Sequence, residues 1–385
     1  MPFADNRNKI GKYIPAVVFL IFIYGMALWF VFSPKPDYSS SEKRYLQKFP
    51  EVTAEKLLSG EFGSEFETFF ADRFPQRNTW VGLNAYTTLA EGNNGASGVY
   101  NCKNGYLINK PVSTENNLDK NIGAVADFAK SIDTPTTVMF VPSTGYIVDD
   151  VLPTFHDKYN DDEDISKISS TLSKDKIGFV DLRERFKSEY KNGSQIYYKT
   201  DHHWTTKGAY TGYQELCKAL GITPIDDSTL KKDSYPDFYG TTYSSSGFWL
   251  TPPDNIEIWN NPKNSDRNIS VKITEGANIK TSGSMYFTDH LKEDDKYPVF
   301  IDGNHALTEI TNTNAKNGTI LLIKDSFSHS LAPFLAENYS KVVLVDLRYY
   351  KESVSDLVTT YNPEQVVVLY GIDNLATDTD IVWLK

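Results

Sequence analysis

Hydrophobic residues along this 385-residue chain form two patterns, one long run and many short ones. The long run lies between Lys12 and Lys35, where no charged side chain occurs and most residues are apolar. About 20 such residues suffice to cross a bilayer as a helix. Basic residues precede the run, and they favour the cytoplasmic side. The pattern predicts a transmembrane anchor at 14–33, after a cytoplasmic tail at 1–13, with the remainder exported.

A cleaved signal peptide is the competing interpretation, but no small-x-small cleavage pattern follows the run. Residues 34–95 begin with a spacer rich in Pro and Ser and continue with helical spacing, broken at Gly60 and Pro75. Residues 98–107 carry an Asn-Gly turn between apolar flanks, which predicts a hairpin.

The short runs alternate with helical spacing, a pattern typical of α/β proteins with a parallel sheet flanked by helices. Strands are predicted at residues 136–141, 178–182, 319–325, 342–346 and 366–370. Helices are predicted at 205–220 and 327–338. Residues 239–299 are strand-like, polar and rich in Ser, Thr, Asn and Pro, which predicts a β-rich insertion. The α/β domain would then comprise residues 96–238 and 300–385.

Composition narrows the class of protein. Hydrophobic residues make up 40% and charged residues 23%, which is ordinary for a folded protein. The net charge of −11 argues against a nucleic-acid partner, because such partners need a basic surface. Cys102 and Cys217 are the two cysteines, and the sequence leaves open whether they pair.

Ser326 is the candidate nucleophile, because a predicted buried strand delivers it to the start of a predicted helix. The first N–H groups and the dipole of such a helix stabilise negative charge that develops on a substrate. The matching base is found in Asp201-His202-His203-Trp204. His203 would take the serine proton, and Asp201 would orient the imidazole.

Simpler interpretations accompany these assignments. Ser326 or its neighbour Asp325 would also serve as a helix N-cap. His202 and His203 are expected to point in different directions, so no metal is predicted at this motif. His202 is expected to have a structural role.

The segment 203–210 resembles the last conserved block of SGNH hydrolases, with Trp204 where that block has proline. Because Asp201 lies two residues before His203, the closer resemblance is to the alginate O-acetylation proteins and the bacterial DHHW family. The resemblance extends to Lys324-Asp325-Ser326, to Gly303-Asn304-His305, and to residues 72–77, where Asp72, Arg73 and Arg77 are expected to form a structural ion-pair network.

The resemblance implies an SGNH-hydrolase-like, flavodoxin-like sheet in circularly permuted order, because Asp201 and His203 precede Ser326. The strand before Ser326 would be first, residues 342–346 second and the strand ending near residue 370 third. Oxyanion-hole candidates are the Ser326 N–H, Asn374 and Asn304. The candidates for substrate contacts are Arg348, Trp204 and His305, although for Trp204 a core position is the favoured interpretation.

The resemblance also implies a function: a membrane-anchored extracytoplasmic O-acyltransferase, most simply an O-acetyltransferase, acting on an exopolysaccharide or cell-wall glycan. No cofactor is expected, and a multispanning membrane O-acyltransferase would supply the acetyl group. Two alternatives remain open in the sequence. One is an esterase or deacetylase with the same triad, and the other is a non-catalytic glycan-binding envelope protein.

Overall fold

The computed structural model describes residues 4–112, 117–175 and 177–384, with side chains from residue 13 onward. The chain divides into two compact units, Met1–Thr87 and Thr88–Lys385. The side chains of the predicted cytoplasmic tail up to residue 12 lie outside the described ones.

The first unit consists of helices and one small hairpin. Its elements are α1 (Ala4–Phe32), β1 (Tyr38–Ser39), β2 (Arg44–Tyr45), α2 (Ala54–Ser59), α3 (Glu61–Asp72) and α4 (Arg77–Ala90). Within α1, the stretch Tyr13–Phe32 has a mean hydropathy of 2.4 and is not buried. This helix is long and apolar enough to cross a membrane. Both a membrane anchor and an N-terminal signal sequence have this property.

Asp72 and Arg73 are buried at the end of α3 and hold the connecting segments of this unit. Asp72 accepts two hydrogen bonds from the Arg44 guanidinium, at 2.9 and 2.5 Å, and one from the Gln47 N–H at 2.9 Å. These bonds with Arg44 hold the pKa of Asp72 below its usual range. Arg73 Nε donates to the Gln47 carbonyl at 3.0 Å, and Arg77 Nε lies 3.7 Å from Asp72. The predicted structural network is confirmed.

The second unit contains the α/β domain. Its helices are α5 (Leu118–Ser131), α6 (Thr144–Ile147), α7 (Asp161–Lys174), α8 (Arg183–Lys191), α9 (Thr206–Leu220), α10 (Thr241–Ser246), α11 (Ser328–Leu335), α12 (Val354–Tyr361) and α13 (Ile372–Thr377). Its strands are β3 (Gly95–Ala96), β4 (Val99–Asn101), β5 (Leu107–Asn109), β6 (Thr136–Val141), β7 (Gly178–Asp181), β8 (Lys231–Phe238), β9 (Asp254–Asn260), β10 (Ile269–Glu275), β11 (Asn278–Ser282), β12 (Leu307–Asn312), β13 (Asn317–Lys324), β14 (Tyr339–Val345) and β15 (Gln365–Gly371). Short 3-10 turns lie at Lys103–Gly105, Asp149–Val151, Asp227–Thr229, Thr288–Lys292, Tyr297–Val299 and Ile381–Trp383.

Eight of these strands form the central sheet, in the order β11-β10-β12-β14-β13-β15-β6-β7. The five strands from β14 to β7 are parallel, and the other three extend the sheet in antiparallel fashion. When β13 is counted as the first strand, the parallel part has the order 2-1-3-4-5, which is that of flavodoxin-like sheets. The predicted α/β fold and its permuted strand order are confirmed.

The three central strands are continuous apolar runs because both of their faces are covered. Residues 320–323, 342–345 and 366–369 are each 0% exposed. Successive residues alternate between two cores, as the two-residue period of a strand requires. In β13, for example, Ile320 and Leu322 belong to one core, and Leu321 and Ile323 belong to the other. Packing on both faces makes β13 a rigid support for the residues that follow it.

Two smaller sheets complete the unit. The predicted hairpin is confirmed as β4 and β5, joined through the 3-10 turn, with β3 pairing on the other side of β4. Residues 239–299 contain β9, β10 and β11; β9 pairs with β8, whereas β10 and β11 belong to the central sheet. The predicted boundaries of the insertion stay a prediction. Cys102 and Cys217 are both buried and unpaired with each other.

Candidate active site

The three predicted triad residues meet at the carboxyl end of β13. The Ser326 hydroxyl lies 2.7 Å from Nε2 of His203, and Nδ1 of His203 lies 2.5 Å from Oδ1 of Asp201. All three residues are buried, and Ser326 is the most accessible at 8%. A neutral imidazole with its proton on Nδ1 donates to Asp201 and accepts from Ser326. This geometry is the one in which histidine removes the proton of an attacking serine.

Asp201 is held as a carboxylate by several donors. Its Oδ1 also accepts from the His203 N–H at 2.8 Å, and its Oδ2 accepts from the N–H and hydroxyl of Thr241 at 2.7 and 3.2 Å. Burial raises the pKa of Asp201, but its interactions with His203 and His202 and these hydrogen bonds outweigh it and leave the pKa well below the usual range. Gly240 packs directly against this carboxylate, because a Cβ there would lie 2.3 Å from Oδ2.

The imidazole of His203 lies between two other rings. The ring centroid of His202 is 3.8 Å away at an interplanar angle of 37°, and that of Tyr297 is 4.0 Å away at 11°. The expectation that His202 and His203 point apart is therefore wrong. Burial, together with the neighbouring His203, lowers the pKa of His202 to about 3, so this ring is neutral. Nothing in the sequence spacing indicated Tyr297.

The same closeness bears on metal binding. One ligand atom from each of Asp201, His202 and His203 lies within 4.8 Å of the other two, so a metal ion is sterically feasible. However, the nitrogens of His203 bond to Asp201 and Ser326, and Nδ1 of His202 lies 2.6 Å from the Thr241 hydroxyl. A metal ion would have to replace these hydrogen bonds, so the geometry favours a triad over a metal centre.

Asp325 fixes the turn that presents the nucleophile. Its Oδ1 accepts from the Phe327 N–H at 3.0 Å, and its Oδ2 accepts from the Gly371 N–H and from Nδ2 of Asn374, both at 2.7 Å. Burial raises the pKa of Asp325, and these three donors counteract that rise. Asn374, an oxyanion-hole candidate, thus directs its amide nitrogen to Asp325. The Ser326 N–H donates to no acceptor among the described residues, which leaves it open to a substrate oxygen.

The structure corrects the assignment of Trp204 as a substrate contact. Trp204 is 0% exposed, and its indole N–H donates to the Phe327 carbonyl at 3.1 Å and to the Ser330 hydroxyl at 2.9 Å. Gly208 allows this packing, because a Cβ there would lie 2.9 Å from the Trp204 Cβ. The tryptophan therefore joins the histidine segment to α11 from inside the core.

A buried ion pair between Lys324 and Asp346 lies next to the nucleophile turn, at the end of β13. Lys324, at the end of β13, is 2% exposed; its Nζ lies 2.7 Å from Asp346 and 2.9 Å from Nε2 of His329. Burial lowers the pKa of Lys324, and the charge of Asp346 counteracts only part of this lowering. Burial and the neighbouring Lys324 charge hold the pKa of His329 well below its usual range, so His329 accepts this bond as a neutral ring. The sequence signal for this pair is a charged residue, Lys324, at the end of an otherwise apolar strand, because such a charge needs a buried partner.

A small cleft opens beside the triad, at the carboxyl ends of β6 and β15. In this strand order, ligands bind at the carboxyl edge near the first and third strands, here β13 and β15, where the connections diverge. Phe327 and His202, each adjacent in sequence to a triad residue, form part of the lining. Polar side chains of other elements complete it, among them those of Ser143, Thr242, Asp373 and Asn374. We refer to this space as the polar cleft.

The remaining candidates lie outside the lining of the polar cleft. Arg348 donates to Asp346 at 2.8 and 2.6 Å and to the Oδ1 of Asn304 at 2.9 Å. Asn304 is exposed, which is unfavourable for an oxyanion-hole donor that must exclude water. His305 bonds to Glu275 at 2.7 Å and to the Asp302 carbonyl at 2.9 Å. The roles of Arg348 and His305 in substrate binding stay predictions.

A flavodoxin-like α/β domain with Ser, His and Asp at the carboxyl edge of its sheet defines an SGNH-hydrolase-like protein. The sequence profile of the DHHW protein family matches residues 105–345. This chain belongs to the DHHW family, whose name is spelled by residues 201–204. None of the curated protein sequences compared with it is significantly similar.

Two of the solved structures compared with this chain share its fold. A DHHW family protein from Eubacterium siraeum superposes with a TM-score of 0.63 and 18% identity, over 75% of this chain and 95% of that chain. Bacillus cereus PatB1 with a sulfonyl adduct superposes with a TM-score of 0.61 and 20% identity. The match covers 74% of this chain and 97% of that chain. The O-acetyltransferase domain of Pseudomonas putida AlgJ overlaps less well, with a TM-score of 0.48 and 14% identity. The match covers 75% of this chain and 95% of that chain.

Proposed function

We propose that this chain is an O-acyltransferase, most simply an O-acetyltransferase, that modifies a glycan hydroxyl through an acyl-Ser326 intermediate. The observation that carries the proposal is the hydrogen-bonded series Ser326–His203–Asp201, at 2.7 and 2.5 Å. A serine hydroxyl is a weak nucleophile until a base removes its proton, and this series supplies that base.

The reaction has two halves. Ser326 Oγ attacks the acyl carbonyl of the donor while its proton moves to Nε2 of His203, and the Ser326 N–H stabilises the oxyanion. The leaving group takes this proton as the tetrahedral intermediate collapses to acyl-serine. An acceptor hydroxyl then gives its proton to His203 and attacks the same carbonyl. Collapse returns the proton to Ser326 and releases the new ester.

The proposed location is outside the cytoplasm, with the chain attached to the membrane by Tyr13–Phe32 as a single-pass anchor. The apolar character of this helix, with a mean hydropathy of 2.4, supports the proposal. The proposed donor is a multispanning membrane O-acyltransferase that delivers the acetyl group across the bilayer. Anchoring in the same membrane would keep the active site near that source.

The test combines active-site labelling with transfer. Serine that is activated by a base reacts with sulfonyl fluorides, and the structure of PatB1, which has the same fold, is known with a sulfonyl adduct. We expect phenylmethylsulfonyl fluoride to add to the peptide that contains Ser326, as measured by mass spectrometry. We also expect acetyl transfer from p-nitrophenyl acetate to an oligosaccharide. Ser326→Ala should abolish labelling and lower kcat by at least about 10³-fold.

Ser328→Ala is the matched control. It removes a buried hydroxyl two residues further on, one that has no hydrogen-bond partner among the described residues. Both activities should persist in that variant. Labelling of the Ser326→Ala protein at the wild-type rate would contradict the nucleophile assignment. Hydrolysis that no glycan acceptor diminishes would contradict transfer and would favour an esterase.

A further inference from the structure

The apolar side of α3 lies open at the surface of the first unit. The phenylalanines of this helix recur at the spacing that places them on one face, at Phe62, Phe66, Phe69 and Phe70. Phe66 is 40% and Phe70 is 43% exposed. Of the residues described in α2 and α3, only Asp72 is buried. An amphipathic helix normally covers its apolar side, so this one is missing a partner for that side.

A ring from the segment before α2 extends the same surface. The centroid of Phe49 lies 5.4 Å from that of Phe69 and 6.0 Å from that of Phe66, and Phe49 is 58% exposed. We refer to the side chains of Phe49, Phe62, Phe66, Phe69 and Phe70 as the phenylalanine face. Contiguous exposed apolar surface of this kind marks a site of contact with a protein or a membrane.

The phenylalanine face contacts the apolar helix α1 near its end. The ring centroid of Phe30 lies 4.7 Å from that of Phe70 and 6.3 Å from that of Phe69. Phe30 is two residues before the end of the apolar stretch Tyr13–Phe32, so it lies about 3 Å inside that stretch along the helix axis. Where α1 crosses a bilayer, the phenylalanine face therefore begins at the level of the acyl chains.

Arg73, the C-cap of α3, holds this arrangement in place. Its guanidinium donates to the Lys35 carbonyl at 2.8 Å and to the Asp37 carboxylate at 2.9 Å, and both residues lie just after α1. Arg73 is 5% exposed, so these bonds are shielded from water. The end of α3 is thus bonded to the segment that leaves α1, and the depth of the phenylalanine face follows from that of α1.

We propose that the phenylalanine face inserts into the extracytoplasmic leaflet, with α3 lying in the interface between headgroups and acyl chains. This inference rests on the proposed membrane anchor, and it adds a second contact with the same bilayer. Amphipathic helices with aromatic residues on one side bind membranes in this way. The other positions of α3 include Glu61, Glu65 and Glu67, and the helix contains no Lys or Arg. Burial of the rings is therefore the stabilising contribution, and a bilayer of zwitterionic lipid suffices.

The test places a nitroxide label on α3 of the full chain, reconstituted in vesicles of dioleoylphosphatidylcholine. Cys102 and Cys217 are buried, and burial raises the pKa of each thiol to about 12, so an added surface cysteine is labelled selectively. Phe66→Cys and Phe70→Cys each put the label on the phenylalanine face. Oxygen concentrates among acyl chains, and a nickel chelate stays in water. Electron paramagnetic resonance should show both labels relaxed more by oxygen, about 5–10 Å into the headgroup–acyl boundary.

Ser64→Cys is the matched control. Ser64 is exposed, has nearly the size of cysteine, and lies about 200° around the helix axis from Phe66. Its label should be relaxed more by the nickel chelate. Labels on the phenylalanine face that behave like the one at Ser64 would overturn the proposal. Labels at Phe66 and Phe70 that neither reagent reaches would overturn it in favour of a second copy of the chain as the cover.

Phe22→Cys, near the middle of Tyr13–Phe32, reports on the anchor itself. A lipid-exposed label there, combined with water-exposed labels at Phe66 and Phe70, would overturn this inference and leave the proposed anchor standing. A water-exposed label at Phe22 would overturn both. Sulfonyl labelling of wild-type Ser326 tests the proposed chemistry independently of either result.

Discussion

The aromatic ring of Tyr297 lies face to face with the imidazole of His203, with centroids 4.0 Å apart and an interplanar angle of 11°. The Tyr297 hydroxyl also donates to the Ser326 carbonyl at 3.2 Å. One side chain therefore contacts both the base and the backbone of the nucleophile. When His203 takes the serine proton it becomes a cation, and the face of an aromatic ring attracts a cation.

This contact predicts that the ring of Tyr297 matters more than its hydroxyl. Tyr297→Leu should lower kcat about 2- to 30-fold relative to Tyr297→Phe, because a cation–π contact contributes about 0.5–2 kcal/mol. The measurement is acetyl transfer by both variants, with circular dichroism as the check on folding. Equal kcat values in the two folded variants would contradict a role for the ring.

Gly240 predicts a second effect, which acts through Asp201. Its φ and ψ of −90° and −169° suit any residue, so Gly240→Ala adds no backbone strain. The new Cβ would lie 2.1 Å from the Asp201 Cβ, and the carboxylate would have to move. A displacement of about 1 Å at a catalytic group costs about 10²-fold, so kcat should fall by roughly that factor.

A glycine with free space around it provides the comparison. Gly123 in α5 has no atom within 4 Å of its added Cβ. Gly123→Ala should leave kcat unchanged and stabilise the helix by up to about 1 kcal/mol, measured by urea unfolding. If Gly240→Ala retained full activity, Asp201 would not need its observed position.

Lys324 predicts a large loss of stability. Lys324→Met removes the ammonium group that lies 2.7 Å from Asp346, a carboxylate that is 0% exposed. Arg348 would still pair with Asp346, so we expect a loss of about 3 kcal/mol, at the lower end of what breaking a buried pair costs. Urea unfolding monitored by circular dichroism measures this difference.

Lys292→Met is the control for that change. Lys292 and Asp289 also lie 2.8 Å apart, but their side chains are 80% and 93% exposed. The control should alter the free energy of unfolding far less than Lys324→Met does, because exposed ion pairs contribute little. Similar losses in both variants would rule out a special contribution from the buried pair.

Asp161 predicts a pH dependence of stability. Burial raises its pKa from 3.8 to about 7, although the Ser143 N–H counteracts the rise. A carboxyl group whose folded pKa is raised stabilises the fold fully below pH 3.8, and that contribution is lost as pH rises through 7. The free energy of unfolding should therefore increase as pH falls from about 7.5 to 5, by about 2.5 kcal/mol at most for this group.

Asp161→Asn should reduce this dependence, because the amide oxygen still accepts from Ser143 and does not titrate. A smaller dependence of the same sign should remain, because burial raises the pKa of Asp373 to about 6. Asp356→Asn, at an exposed position, should leave the wild-type dependence unchanged. The lowered pKa of Asp201 has the opposite effect on the free energy of unfolding, because it stabilises the fold above pH 3.8. That stabilisation is lost only at pH values below 3.8, outside this window. A flat profile between pH 5 and 7.5 in the wild-type chain would contradict the raised pKa of Asp161.

Much of the fold followed from local patterns. The predicted strand at 136–141 coincides with β6, and the other predicted strands agree with the observed ones to within a few residues. The predicted helix at 327–338 ends earlier, at Leu335, and a hydrogen-bonded turn follows it. Long apolar runs are strong signals because a strand buried on both faces tolerates few polar residues.

For this protein, the sequence by itself determined the apolar N-terminal segment, the strands of the parallel sheet and the residues that meet as hydroxyl, imidazole and carboxylate. Only the tertiary structure decided that Tyr297 covers His203, that Lys324 pairs with Asp346, and that Trp204 belongs to the core. The physical reason is that strand and helix signals arise between near neighbours. The packing partners of a side chain depend instead on surfaces brought together over long separations, such as the 123 residues between His203 and Ser326.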